Sequence, residues 1–114
     1  MTQGNEAPPP TFYVAVVVIE SNIDNPTYQP LYEERFLLIK ATSEEDASEK
    51  AIQQSNEPES CQNQYGETVT WTFKEVVEVK AVDYDKIADG TEIFARFFRN
   101  YEAYSVALQQ KFED

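Results

Sequence analysis

The hydrophobic positions of the chain form continuous runs and alternating runs, and both predict β-strands. Residues 12–20, FYVAVVVIE, are β-branched and aromatic without alternation, which is typical of a strand covered on both faces. Residues 31–40 are mixed at first and apolar from Phe36 to Ile39. The pattern predicts a central first strand and, after the turn-forming residues 21–30, a second strand.

Residues 68–80 show the clearest alternation in the chain. Apolar side chains, among them the single Trp71, share one parity, while threonines and a lysine share the other, as in a strand with one buried face. Glu75 breaks this rule because it lies on the apolar parity between Phe73 and Val77. Two interpretations stay open, a β-bulge that shifts the register or a carboxylate that points inward, and we favour the bulge.

Acidic residues after the second strand predict the start of a helix. Thr42 with Glu45 three residues later matches a capping box, and negative charge in a first helical turn interacts favourably with the helix dipole. The helix is predicted to begin at Thr42 or Ser43 and to end near Ser55. These features account for the acids at residues 44–46 without a bound metal.

The last third of the chain predicts a fourth strand and a second helix. Asp89-Gly90 is a turn dipeptide, and residues 91–98 alternate as a strand does. Asn100 can cap a final helix whose apolar residues follow near helical spacing.

These elements, in the order ββαββα, predict an α+β fold. A right-handed crossover through the first helix makes the second and third strands parallel with a one-strand gap, and the first strand fills it antiparallel to both. We therefore predict a four-stranded, mainly antiparallel sheet in the order 2-1-3-4, with one helix packed on a face and a C-terminal helix. Residues 12–114 are expected to form a single domain, and residues 1–11, which include three consecutive prolines, a flexible tail.

Composition and charge exclude several kinds of function. The 114 residues include 21 acidic and 9 basic ones, a formal net charge of −12, which repels nucleic acids and anionic membrane surfaces. The chain has no histidine, so histidine-based catalysis and histidine metal sites are excluded. The single Cys61 cannot form an intrachain disulfide, and three glycines leave no phosphate-binding loop or dinucleotide fingerprint. We expect no cofactor and no metal, and we lean towards a protein that is not an enzyme.

The start of the sequence and its apolar runs bear on location. The first residues lack the basic and apolar regions of a secretory signal. The longest apolar run, residues 12–19, is too short to span a bilayer. A cytoplasmic location is therefore expected.

The remaining candidates for chemistry are carboxylates, arginines and aromatic residues. Paired carboxylates can hydrolyse glycosides or hold a divalent cation when they converge, but neighbours in a strand point to opposite faces. Surface charges and cross-strand ion pairs are the simpler explanation. The candidate polar cluster consists of Tyr32, Glu33, Glu34, Arg35, Glu92 and Arg96, with Glu75 as a possible inward acid and Trp71 as a core or contact aromatic.

Several short motifs resemble one known family. They are Leu31-Tyr32-Glu33-Glu34-Arg35, Ser43-Glu44-Glu45-Asp46-Ala47 with Lys50-Ala51, Trp71, and Asp89-Gly90-Thr91-Glu92 followed by Arg96. Together they are similar to the bacterial "domain of unknown function 4288" family over about residues 12–98. The resemblance implies a small, stand-alone bacterial cytosolic protein with no assigned activity. It marks the candidate polar cluster and Trp71 as family positions without giving them a role.

Three functions compete at this point. A surplus of apolar positions on two sheet faces favours a non-catalytic interaction module that acts as a homodimer, because a second helix or a second copy must cover the face opposite the first helix. The acidic surface alternatively indicates an inhibitor or immunity-type protein that neutralises a basic partner. A carboxylate and arginine enzyme comes third, since it requires the candidate polar cluster to converge in one concave site.

Overall fold

The fold is α+β, a four-stranded antiparallel sheet with two α-helices. It is seen in a computed structural model that describes residues 9–82 and 87–110. The elements are β1 (Thr11–Ile23), β2 (Tyr32–Ala41), α1 (Glu44–Ser55), β3 (Glu59–Gln62), β4 (Thr68–Ala81) and α2 (Tyr101–Gln110). The flexible tail predicted for residues 1–11 lies largely outside the described residues.

β1 forms the centre of the sheet, as its continuous apolar pattern predicts. It pairs antiparallel with both β2 and β4, and residues 13–17 are buried without interruption. Side chains of alternate β1 residues form one buried cluster with Ala47 and Ala51 of α1. We call this side of the sheet the helix face and the opposite side the far face. Val14 and Val16 lie on the far face and are also buried, so both faces of β1 are covered.

The sheet order is β2-β1-β4-β3, which corrects the predicted order 2-1-3-4. The predicted neighbours of β1 are right. The predicted fourth strand, residues 91–98, is not a strand, and the edge position beside β4 belongs to β3, which is not among the predicted strands. Every side chain of β3 is exposed, so no apolar alternation marks this strand in the sequence.

A hairpin turn built on Asn63 joins β3 to β4. The Asn63 side-chain oxygen accepts hydrogen bonds from the backbone N–H groups of Tyr65 at 2.9 Å and Glu67 at 3.0 Å. Gly66 has φ of +79°, which favours glycine because other residues meet a steric penalty there. Asn63 and Gly66 are therefore the sequence signal by which this hairpin could have been found.

α1 is capped by a different pair of residues from the predicted Thr42 and Glu45. Ser43 is the N-cap, and its Oγ accepts a hydrogen bond from the Asp46 N–H at 3.0 Å. The Asp46 carboxylate accepts in turn from the Thr42 N–H at 3.0 Å. This backbone hydrogen bond is the main cause that holds the pKa of Asp46 below its ordinary value, with a smaller contribution from the charge of Lys50. The helix ends at Ser55, as predicted.

Two register shifts between β4 and β1 explain the break in alternation at Glu75. They leave Val77 and Lys74 without a partner residue on β1. As a result Val76 packs against the core cluster, while Glu75 lies opposite Val18 and is exposed. Glu75 is therefore not an inward acid, because each bulge moves the following side chains of β4 to the other face.

Candidate functional site

The candidate polar cluster is divided between the two faces of the sheet. Glu33 lies opposite Ile19, a member of the buried cluster on the helix face, and Glu34 lies opposite Val18. Because successive residues of a strand point to opposite faces, Glu33 and Arg35 lie on the helix face and Glu34 on the far face. Four of the predicted residues therefore belong to two ion-pair networks on opposite faces and do not form one site: Glu33 and Arg35 in one, Glu34 and Arg96 in the other.

The network on the helix face is centred on Arg35. Its Nε donates to Glu33 Oε1 at 2.9 Å, and its Nη2 donates to Glu59 Oε1 at 3.2 Å. The hydrogen bond to Glu59 is the main cause that raises the pKa of Arg35, and Glu33 adds to it. Glu59 belongs to β3 and Arg35 to β2, which are the two edge strands. One guanidinium thus joins both edges of the sheet, and the fork of a guanidinium suits two carboxylates at once.

The network on the far face is centred on Arg96. Its Nη1 lies 3.3 Å from Glu34 Oε2 on β2, and its Nε lies 3.7 Å from Glu78 Oε1 on β4. Lys80 completes the network through a 3.3 Å contact to Glu78 Oε2. Arg96 therefore bridges the two neighbours of β1, and the segment that carries it crosses the far face.

Phe94 fixes the same segment through aromatic and cation–π contacts. Its ring meets Phe36 edge to face, with the ring centroids 5.2 Å apart. Lys80 Nζ and the Arg96 guanidinium carbon each lie 5.4 Å from the Phe94 centroid, within the range of cation–π attraction. Lys80 Nζ also donates to the Ala95 carbonyl at 2.7 Å. Contacts of Phe94, Ala95 and Arg96, and not strand pairing, hold this segment on the sheet.

The other predicted site residues lie apart from both arginines. Tyr32 Oη donates to Glu20 Oε2 at 3.3 Å. Trp71 is half-buried, packs against the core cluster and lies opposite Ser21. Glu92 is exposed, and it forms no hydrogen bond or ion pair within the part of the chain that the structure describes.

Ser21 is a buried polar residue whose role no pattern in the sequence predicts. It is fully buried, its Oγ accepts from the Leu31 N–H at 2.8 Å, and it shares a 2.6 Å hydrogen bond with Tyr28 Oη. The Ser21 N–H donates to the Leu31 carbonyl at 2.9 Å. Ser21 therefore anchors the whole connection between β1 and β2. A lone serine at a strand end carries no pattern from which this role could be predicted.

A concave pocket of about 650 Å³ lies beside the start of β2. Its lining residues are Leu31, Tyr32, Glu33, Glu34, Phe36, Trp71, Ala107 and Leu108. Two carboxylates thus border a largely apolar hollow. Arg35, Glu92 and Arg96 do not line it, so the pocket does not bring together the residues that the enzyme hypothesis requires.

Two further properties concern the described residues alone. No group of three or more histidine, cysteine, aspartate or glutamate side chains is placed to hold a metal ion within residues 9–82 and 87–110. In the same ranges, neither helix is long and apolar enough to cross a membrane.

Comparison with known proteins gives a family. The chain matches the family model described as Domain of unknown function (DUF4288) over residues 12–95. Because the match covers well over half of the chain, the protein belongs to this family, and the resemblance seen in its motifs is confirmed. No curated protein and no solved structure matches the chain. The matched region includes all of β2, β3 and β4 and ends one residue before Arg96, the partner of Glu34.

Proposed function

We propose that this protein is a non-catalytic protein-interaction module that acts as a homodimer. The observation that supports it is a band of exposed apolar side chains along β2 and the segment that follows Phe94. Tyr32, Phe36 and Leu38 share one face of β2 because they have the same parity, and exposed apolar side chains grouped on one surface often mark an interaction site. The members of this apolar band are Leu31, Tyr32, Phe36, Leu38, Phe97 and Phe98.

The size of the apolar band sets the strength of association that it can support. Phe97 is 94% exposed, while Leu31, Phe36 and Leu38 are each about half exposed. Full burial of these four side chains would contribute roughly 5 kcal/mol per copy, or about 10 kcal/mol for the two copies of a dimer. The cost of lost translational and rotational freedom is about 4 to 15 kcal/mol or more. Apolar contact alone leaves little surplus at the upper end of this range, and backbone pairing would supply further binding energy.

The arrangement of the charges supports an interaction role over a catalytic one. Arg35 and Arg96 each contact two carboxylates that belong to different strands, on opposite faces of the sheet. Their charges serve to join strands. A catalytic site would need them to meet around one substrate.

An inhibitor or immunity-type protein that binds a basic partner is the second candidate. The net charge of −12 favours it. The ion pairs of Glu33, Glu34, Glu59 and Glu78 count against it, because carboxylates that already contact a lysine or arginine attract an external cation less. A partner captured at low salt and released at high salt would support this candidate.

Mass measurement in solution tests the homodimer. At micromolar concentration, light scattering or sedimentation should give twice the 13.1 kDa chain mass. Leu38→Ser should weaken the dimer because it removes about 1 kcal/mol of burial per copy, or roughly thirtyfold in Kd for both copies. Val77→Ser is the matched control, because Val77 is equally exposed but lies on the inner strand β4. A mass equal to one chain for the unmodified protein would refute the proposal.

A further inference from the structure

We infer that two copies of the chain associate by antiparallel pairing of β2 with β2, in the register that places Leu37 opposite Leu37. The inference rests on the proposed homodimer and specifies the surface and the alignment that form it. β2 is a ten-residue edge strand, and within the described residues it pairs only with β1. An edge strand presents a row of backbone N–H and C=O groups that can pair with another chain.

The hydrogen bonds of β1 show which β2 residues present these groups. The Ser21 N–H donates to the Leu31 carbonyl of the preceding connection, and the Val82 N–H donates to the Phe12 carbonyl, both at 2.9 Å. Odd-numbered residues of β1 therefore direct their backbone groups towards β2, and even-numbered ones towards β4. The pairing of β1 with β2 has no register shift, so odd-numbered residues of β2 face β1.

Even-numbered residues of β2 consequently direct their backbone groups towards the free edge. These residues are Tyr32, Glu34, Phe36, Leu38 and Lys40. An independent contact agrees, because Lys50 Nζ reaches from α1 to the Lys40 carbonyl at 2.8 Å. In a pair of β2 strands, outward groups must meet outward groups, so even-numbered residues lie opposite even-numbered residues. The two-fold axis of the dimer then passes through a residue and not between two residues.

Four positions near the centre of β2 can carry the two-fold axis, namely residues 35, 36, 37 and 38. The side chains that each axis places opposite each other decide among them. An axis at Arg35 would place two arginines directly opposite each other, which is repulsive. An axis at Phe36 would place Glu34 opposite Leu38, and an axis at Leu38 would place Phe36 opposite Lys40. Each of these two arrangements sets a charge against an apolar side chain.

On the far face, the axis at Leu37 gives a complementary pairing at both outward positions nearest the centre, whereas on the helix face it sets Arg35, which already bonds Glu33 and Glu59, opposite Ile39 of the second copy. It places Glu34 opposite Lys40 of the second copy and Phe36 opposite Leu38 of the second copy, and symmetry provides each pair twice. Opposite charges and apolar pairs at facing positions stabilise an antiparallel sheet. Because directly opposite residues point to the same face of a sheet, the helix faces of the two copies lie on one side of the combined sheet.

The side chains concerned are available for this pairing. Phe36 and Leu38 are about half exposed. Lys40 forms no ion pair with any residue that the structure describes, and its Nζ lies 5.9 Å from the Phe12 ring centroid. The Glu34 carboxylate contacts Arg96 through one oxygen and can accept further bonds. The Lys40 carbonyl likewise has a second lone pair beside the one that Lys50 uses.

Exchange of the charged pair provides the first test. Glu34→Lys and Lys40→Glu should each raise the dimer Kd by about tenfold, because each places like charges opposite at two positions. The double variant with both substitutions should bind more tightly than either single one. Loss of the Arg96 contact alone would not be repaired by Lys40→Glu. Glu75→Lys is the control of equal charge on an inner strand, and its Kd should not change.

Cysteine crosslinking provides the second test, with Cys61→Ser as the background. In the inferred register the Leu37 residues form a non-hydrogen-bonded pair with Cα atoms about 4.5 Å apart, within disulfide range. Leu37→Cys should therefore crosslink fastest under mild oxidation, ahead of Phe36→Cys and Leu38→Cys. If Leu37→Cys fails to fold, the charge exchange decides.

The outcomes separate the register from the dimer itself. The register would be overturned if Phe36→Cys or Leu38→Cys crosslinked fastest, or if the double charge variant showed no rescue. In either case, a measured dimer mass would still support the proposed function. A single-chain mass for the unmodified protein would overturn both. Rescue together with fastest crosslinking at Leu37→Cys would establish the register.

Discussion

Ser21→Ala should loosen the connection between β1 and β2 and destabilise the fold. The Ser21 side chain is fully buried, and its hydroxyl receives the Leu31 N–H at 2.8 Å and bonds Tyr28 Oη at 2.6 Å. Alanine removes both bonds without a large change in volume. The effect therefore measures the hydrogen bonds more than the packing.

The magnitude follows from the two bonds. Each neutral hydrogen bond contributes about 1 kcal/mol net to stability, and a donor left unpaired in the interior costs about 1–3 kcal/mol. Leu31 N–H loses its acceptor, while Tyr28 is only half-buried and its hydroxyl can turn to water. We expect a loss of about 2 kcal/mol in the free energy of unfolding, or a fall of about 8 °C in Tm for a chain of this size.

Urea unfolding followed by tryptophan fluorescence is a suitable assay. Trp71 is the single tryptophan and lies opposite Ser21, so it reports on this end of the sheet. Ser60→Ala is the control, because Ser60 is exposed and its hydroxyl makes one long contact of 3.4 Å to Thr70. Tyr28→Phe should cost about half as much as Ser21→Ala. A Ser21→Ala loss within about 0.5 kcal/mol of the Ser60→Ala value would refute the anchoring role.

Two further predictions concern ion pairs. Arg35→Met should lower the free energy of unfolding, measured in urea, by about 1 kcal/mol, a value discounted for the 30% exposure of the Arg35 side chain. Arg35→Lys should recover only part of this loss. If Arg35→Met caused no loss of stability, the role of Arg35 in joining the two sheet edges would be contradicted. Asp46→Asn should lower Tm near neutral pH, because the depressed pKa of Asp46 means that the charged carboxylate stabilises the folded state. That contribution is present above the unfolded pKa, near 3.8, and is lost as pH falls through the lower folded pKa. The Tm difference between variant and wild type should shrink towards about pH 2, and a constant difference would contradict it.

The elements that rely on apolar burial could be predicted from the sequence. β1 was expected to be central because its run is apolar on both faces, and both of its neighbours in the sheet follow from the crossover rule. β3 could not be found in this way, because its four side chains are all exposed and backbone pairing alone defines it. The prediction of a strand at residues 91–98 was wrong for the opposite reason. These residues alternate as a strand does, but they contact the sheet through the side chains of Phe94 and Arg96.

The residues of the candidate polar cluster could be named from the sequence, but their arrangement could not be predicted. Parity along β2 predicts that Glu33 and Glu34 point to opposite faces, and they do. Two partners of the arginines, Glu59 and Glu78, could not be predicted because they are distant from Arg35 and Arg96 in the sequence. Glu59 lies on the strand that had no signal, and Glu78 follows two bulges whose positions the alternation of β4 does not fix. Long-range ion pairs depend on the register of strands, which a single sequence specifies weakly when bulges intervene.

The start of β2 now has a structural explanation that the sequence did not provide. Tyr32 bonds Glu20 on β1, Glu33 and Arg35 join β3 through Glu59, and Glu34 holds the crossing segment through Arg96. Four consecutive side chains thus tie one strand to three other parts of the fold. Their contacts lie above and below the sheet, so they leave the outward backbone groups of β2 available. The same residues can therefore fix the position of the edge strand and still permit its pairing with a second copy.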